Sequence, residues 1–90
     1  MLRQKCISLL RRFLSRAIRK YRMQHQLTQE QLSELLYMAP RSYADLEHGT
    51  CGCSALTLIR FLLLLKDEEV LRLLHEIGQV LEEAERHDVA

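Results

Sequence analysis

Apolar residues near the start of the chain fall at positions 2, 6, 9, 10, 13, 14, 17, 18 and 21, the three-and-four spacing of one helical face. This predicts a first helix from Leu2 to Gln24, with Arg3, Arg12, Arg16, Arg19 and Lys20 on its other side. Thr28-Gln29-Glu30-Gln31 has the form of a capping box and opens a second helix, with Leu32, Leu35 and Leu36 inward and Ser33 small enough for a close neighbour. The pattern breaks at Tyr37-Met38-Ala39. Pro40 suits a first helical position, so a third helix from Pro40 to Glu47 is expected, stopped by Gly49. Thr50 to Cys53 read as a loop, and Ser54 caps a fourth helix to about Lys66 that is apolar nearly all round, as for a helix with several neighbours. Asp67, Glu68 and Glu69 open a fifth helix to about residue 87, with a stripe of Val70, Leu73, Leu74, Ile77, Val80, Leu81 and Ala84.

The class that follows is all-α, and ninety residues fit a single domain spanning 1–90, its core at about 12–66. One proline, three glycines and few aromatics oppose a turn-rich β architecture. Leu14, Ile18, Leu32, Leu36, Tyr43, Leu46, Leu58 and Phe61 are the expected core.

A net charge of +1 conceals a division along the chain. Residues 1–26 hold eight Lys or Arg and no acid, whereas residues 67–90 carry a net −6. A basic first helix is suited either to phosphate or to plain solvation, and the two ends are expected to attract each other. Cys6, Cys51 and Cys53 lack the spacing of a metal site, so no metal and no cofactor are expected. Cys51-Gly52-Cys53 reads as ordinary loop, with a regulatory disulfide the minor alternative. Phe61 to Leu65, the longest apolar run, is far short of a membrane span, and no cleavable leader is legible, which points to the cytoplasm. His25, His48, His75 and His87 are scattered and form no catalytic grouping, so an enzyme is not expected.

The run Leu27-Thr28-Gln29-Glu30-Gln31-Leu32-Ser33-Glu34-Leu35-Leu36, followed by a turn and Leu46-Glu47-His48-Gly49, resembles the Cro/Xre-type (lambda repressor-like) helix-turn-helix family over about residues 14 to 65. The resemblance implies a bacterial transcriptional regulator, a repressor that binds double-stranded DNA, with the helix-turn-helix at 28–48 in a five-helix bundle. The short second helix of such a pair enters the major groove, where Arg41 is suited to guanine, Asp45 to the cytosine amino group and Ser42 to either base or phosphate. By the same resemblance Gln29 and His48 lie against phosphates, with Thr28 and Thr50 adding further contacts, while Arg22 and Glu47 match an ion pair that ties the third helix to the first.

Four departures qualify the match. Tyr37 stands where the family often has glycine, which leads one to expect a turn of different shape. Ala39 replaces a hydroxyl cap, and Pro40 replaces a side chain that often points at DNA. Asp45 would repel phosphate in a shallow docking. A module that keeps the fold for protein interaction, without operator recognition, is therefore the competing reading. The terminal extensions invite pairing: Leu2, Cys6, Leu9, Leu10 and Phe13 suit the stripe of the fifth helix, either within one chain or between two. A homodimer on a palindromic operator is expected, with the fifth helix as its contact, and helix packing explains the basic N-terminus without a membrane.

Overall fold

A computed structural model describes residues 2–89 as five helices: α1 (Leu2–Gln24), α2 (Gln29–Leu35), α3 (Pro40–His48), α4 (Ala55–Leu64) and α5 (Asp67–Val89). The described residues contain no strand. Ile18, Leu32, Leu36, Tyr43, Leu46, Phe61 and Leu73 form one buried cluster to which every helix contributes. Leu14 is buried as well, at the α1 side.

Three helices end in the same way, each with a left-handed residue. At the end of α1, Gln26 takes φ 54° and the Leu27 N–H donates to the Arg22 carbonyl at 3.0 Å. After α2, Tyr37 takes φ 58°, its N–H donates to Glu34 at 3.2 Å, and the Met38 N–H donates to Ser33 at 2.9 Å. After α3, Gly49 takes φ 77° and the Thr50 N–H donates to Asp45 at 3.0 Å. Each is a Schellman turn, which satisfies the last carbonyls of its helix while reversing the chain. The turn before α3 therefore keeps the left-handed residue, and the change of shape expected from Tyr37 does not occur. Arg60 offsets the strain: its guanidinium lies 4.1 Å from the Tyr37 ring centroid, and its Nε donates to the Leu35 carbonyl at 3.3 Å.

Several boundaries and inward positions differ from expectation. Helix α3 includes His48, and α4 stops at Leu64 because Leu65 turns extended (ψ 156°) and α5 begins at once. The Lys66 N–H donates to Glu69 Oε1 at 2.9 Å, which caps that start. Leu58 is only half-buried, and the neighbouring Thr57 takes the inward position, its hydroxyl 3.0 Å from Ser54 Oγ. On α5 the inner row is Leu73, Ile77, Val80 and Ala84, whereas Leu74 points outward with 54% exposure.

The extensions pack on each other within the chain. Leu10 and Phe13 of α1 meet Ile77, Val80 and Leu81 of α5 around a small recess, and α1 and α5 share an extended contact. The expected attraction between the basic and acidic ends does not take the form of ion pairs: among the described residues no α1 cation lies within 4.0 Å of an α5 carboxylate. The contact is apolar, with its charges along the rims.

Candidate nucleic-acid interface

Helix α3 is short, and its orientation depends on what holds its inner side. Tyr43 and Leu46 are almost fully buried, and Pro40 begins the helix without any side-chain cap from Ala39. Glu47, one position on from Leu46, faces α1. There Arg22 binds it through two parallel bonds, Nε to Oε2 at 2.9 Å and Nη2 to Oε1 at 2.8 Å. The third nitrogen of the guanidinium, Nη1, donates to the Leu27 carbonyl at 3.1 Å, so one side chain ties together α1, the α1–α2 turn and α3. The side chains of Arg22 and Glu47 are 18% and 7% exposed, which places the pair largely out of water.

Sequence reasoning missed the size of this cluster. Arg19 Nε lies 3.8 Å from Glu47 Oε1, and Gln29 Nε2 donates to the same oxygen at 3.4 Å. Burial opposes ionisation of Glu47, but its polar neighbours, Arg22 foremost, outweigh it and hold the carboxyl below its usual range. The bond to Glu47 raises Arg22 further, against burial. The Tyr43 hydroxyl is buried beside them with no hydrogen-bond partner, and burial pushes its ionisation well above that of a free tyrosine. The only early signal was i,i+3 and i,i+4 spacing, which puts Arg19 and Arg22 on one side of α1 and Tyr43 and Glu47 on one side of α3.

With its inner side fixed, α3 turns Arg41, Ser42 and Asp45 to solvent. All three are exposed, and no carboxylate among the described residues engages Arg41. Other residues named from the sequence flank this surface with their polar groups partly committed. Thr28 closes the capping box of α2, its hydroxyl accepting from Gln31 N at 3.0 Å while its own N–H donates to Gln31 Oε1 at 2.9 Å. Gln29 is half-buried against Glu47. The Thr50 hydroxyl donates back to the Asp45 carbonyl at 3.0 Å and helps end α3.

His48 donates through Nδ1 to the Ala44 carbonyl at 2.7 Å. That bond fixes the proton on Nδ1, so neutral His48 presents a lone pair at Nε2. Only the doubly protonated ring offers an outward N–H.

A pair of short helices joined by a tight turn, the second pinned by an ion pair with one side open, defines a helix-turn-helix protein. Comparison with known families agrees, since the helix-turn-helix family profile matches residues 18–62, from the middle of α1 into α4. The chain belongs to this family, of the Cro/C1 type. It matches no curated protein sequence and no solved structure at a significant level. No helix among the described residues is long and apolar enough to cross a membrane, and no cluster of three metal-ligating side chains occurs among them.

Proposed function

We propose that this protein is a sequence-specific transcriptional regulator, a cytoplasmic repressor that inserts α3 into the major groove of an operator and carries no enzymatic activity. The observation that carries the reading is the two-sidedness of α3: Tyr43, Leu46 and Glu47 anchor it, while Arg41, Ser42 and Asp45 stand exposed together. In this reading Arg41 pairs with guanine through both guanidinium donors, Asp45 accepts from a cytosine amino group, and Ser42 bonds a base or phosphate. Thr28, Gln29, His48 and Thr50 set the register along the phosphates.

Two copies act on a palindromic operator, each reading one half. Most of the α5 stripe is occupied by α1, so the dimer contact moves to what remains open. Leu56, Ile59 and Leu63 on α4 and Leu71 and Leu74 on α5 are each more than half exposed. They are the exposed apolar side chains available to a second copy, and a stable dimer takes about 800 Å² from each partner.

Selection of bound duplexes from a random library, with and without Arg41→Ala, tests the proposal. The expected result is a palindromic consensus in which the variant loses preference at one position per half-site while retaining salt-dependent binding. Absence of duplex binding at low salt would reject operator recognition and leave the protein-interaction module as the reading.

A further inference from the structure

Residues 1–26 hold eight cations, and five of those outside the Arg22 clamp are assigned by their neighbours to one of two edges of α1. Lys5, Arg16 and Lys20 border the α5 side, in grooves that also hold Glu69, Glu76 and Glu83. Arg11 and Arg19 belong to the other side, where α1 runs alongside the segment leaving α3. Three observations fix that register. Arg19 Nε is 3.8 Å from Glu47 Oε1. A Cβ at Gly49 would sit 3.8 Å from Ser15 Oγ, and one at Gly52 would sit 3.2 Å from Arg11 Nε. Residues 19, 15 and 11 of α1 thus descend past residues 47, 49 and 52.

The segment Gly49 to Cys53 has no charge of its own, yet it directly follows the helix assigned to the groove. Arg11 lays a guanidinium against its glycine, a placement that any larger residue at position 52 would disturb. Arg11 is exposed and has no carboxylate partner among the described residues, and Arg19 keeps 62% of its side chain in solvent. From Arg11 to Arg19 the helix advances about 12 Å, the axial run of about three phosphates on one strand.

We infer that Arg11 and Arg19 form a second DNA-contacting track, which grips the phosphate backbone beyond the end of α3 and lengthens the footprint past the helix-turn-helix itself. The inference rests on the DNA-binding reading above and adds to it a role for the N-terminal extension. The track carries no sequence information: it supplies affinity, and Arg41 supplies preference.

The test compares two variants of equal charge change, Arg11→Gln/Arg19→Gln on the α3 edge and Arg16→Gln/Lys20→Gln on the α5 edge. Binding to long random-sequence duplex is measured from 50 to 300 mM salt, with circular dichroism to verify folding. The α3-edge variant is expected to lose on the order of 10- to 100-fold in affinity at 0.1 M salt and to lower the salt slope by nearly two, about 0.9 per phosphate contact. The α5-edge variant should shift the slope by less than one, and Arg11→Lys/Arg19→Lys should restore most of the loss. Equal losses in the two Gln variants would overturn the track in favour of diffuse attraction, and so would an unchanged slope in the α3-edge variant. Failure of the parent protein to bind any duplex would instead remove the DNA-binding reading, a different result.

Discussion

Arg60 on α4 is stacked over Tyr37 in the turn before α3, 4.1 Å from the ring centroid, and the same guanidinium bonds the Leu35 carbonyl at 3.3 Å. A tyrosine with φ 58° costs about 1 kcal/mol or more relative to glycine. The stacked cation returns about 0.5–1 kcal/mol at such an exposed site, and the hydrogen bond adds a similar amount. The two residues therefore form one unit.

Their coupling is measurable. Arg60→Ala is expected to lower stability by about 1–1.5 kcal/mol. Tyr37→Gly should be near neutral in the parent chain, because relief of strain and loss of stacking cancel, and should stabilise by about 1 kcal/mol once Arg60 is alanine. Urea melts of the four members of this cycle read the difference directly. Identical effects of Tyr37→Gly in both backgrounds would dissolve the unit.

The Arg22–Glu47 pair sets the response to acid. Glu47→Ala strands a largely shielded guanidinium and should cost about 3 kcal/mol. Because the folded carboxyl titrates below its unfolded value, its contribution is complete above about pH 4.3 and disappears as pH falls through the lower folded value. Urea midpoints between pH 2 and 7 should therefore drop on the acid side in the parent protein and drop less in Glu47→Gln. Equal acid limbs would assign that loss to other carboxylates.

Tyr43 shows the opposite sign. Its folded ionisation is raised, so the stability it confers is intact below about pH 10 and is lost as pH climbs beyond the unfolded value. Tyr43→Phe removes a buried hydroxyl that has no hydrogen-bond partner, and stability at pH 7 should change by less than about 1 kcal/mol. The alkaline decline should be weaker in the variant. A loss of several kcal/mol at neutral pH would reveal a hydrogen bond from this hydroxyl to Glu47.

The open apolar face on α4 and α5 gives a test of subunit number. Sedimentation is expected to show a dimer for the parent chain and a monomer for Ile59→Glu/Leu63→Glu, with helix content preserved, since both positions are more than half exposed. Half-site affinity should survive while full-operator affinity falls. A monomeric parent protein would refute the contact.

Helices were legible where period and punctuation agree. The Thr28 capping box and Pro40 at the start of α3 are local devices, and local devices can be read from neighbouring letters. Tyr37 misled for the opposite reason: its left-handed backbone depends on Arg60, twenty-three positions away and on another helix. Leu58 and Leu74 failed as inward residues because both helices carry more apolar positions than they bury, and periodicity alone does not choose among them. The link between Arg22 and Glu47 came from family resemblance, not from spacing. The position of Arg11 against Gly52 had no sequence signal, since it requires the register of α1 on the loop after α3.

The apolar clasp between the beginning of α1 and the end of α5 has a dynamic consequence. Ala84 is the only fully buried residue that the first two turns of α1 and the last two described turns of α5 contribute, whereas the central cluster draws on Ile18, Leu32, Leu36 and Tyr43. The outer halves thus constitute a separate opening unit, which exchanges its amide hydrogens as a pair while α2 and α3 stay protected. Deuterium uptake should rise together in segments 3–9 and 80–87, because neither half retains a partner once the other has peeled away.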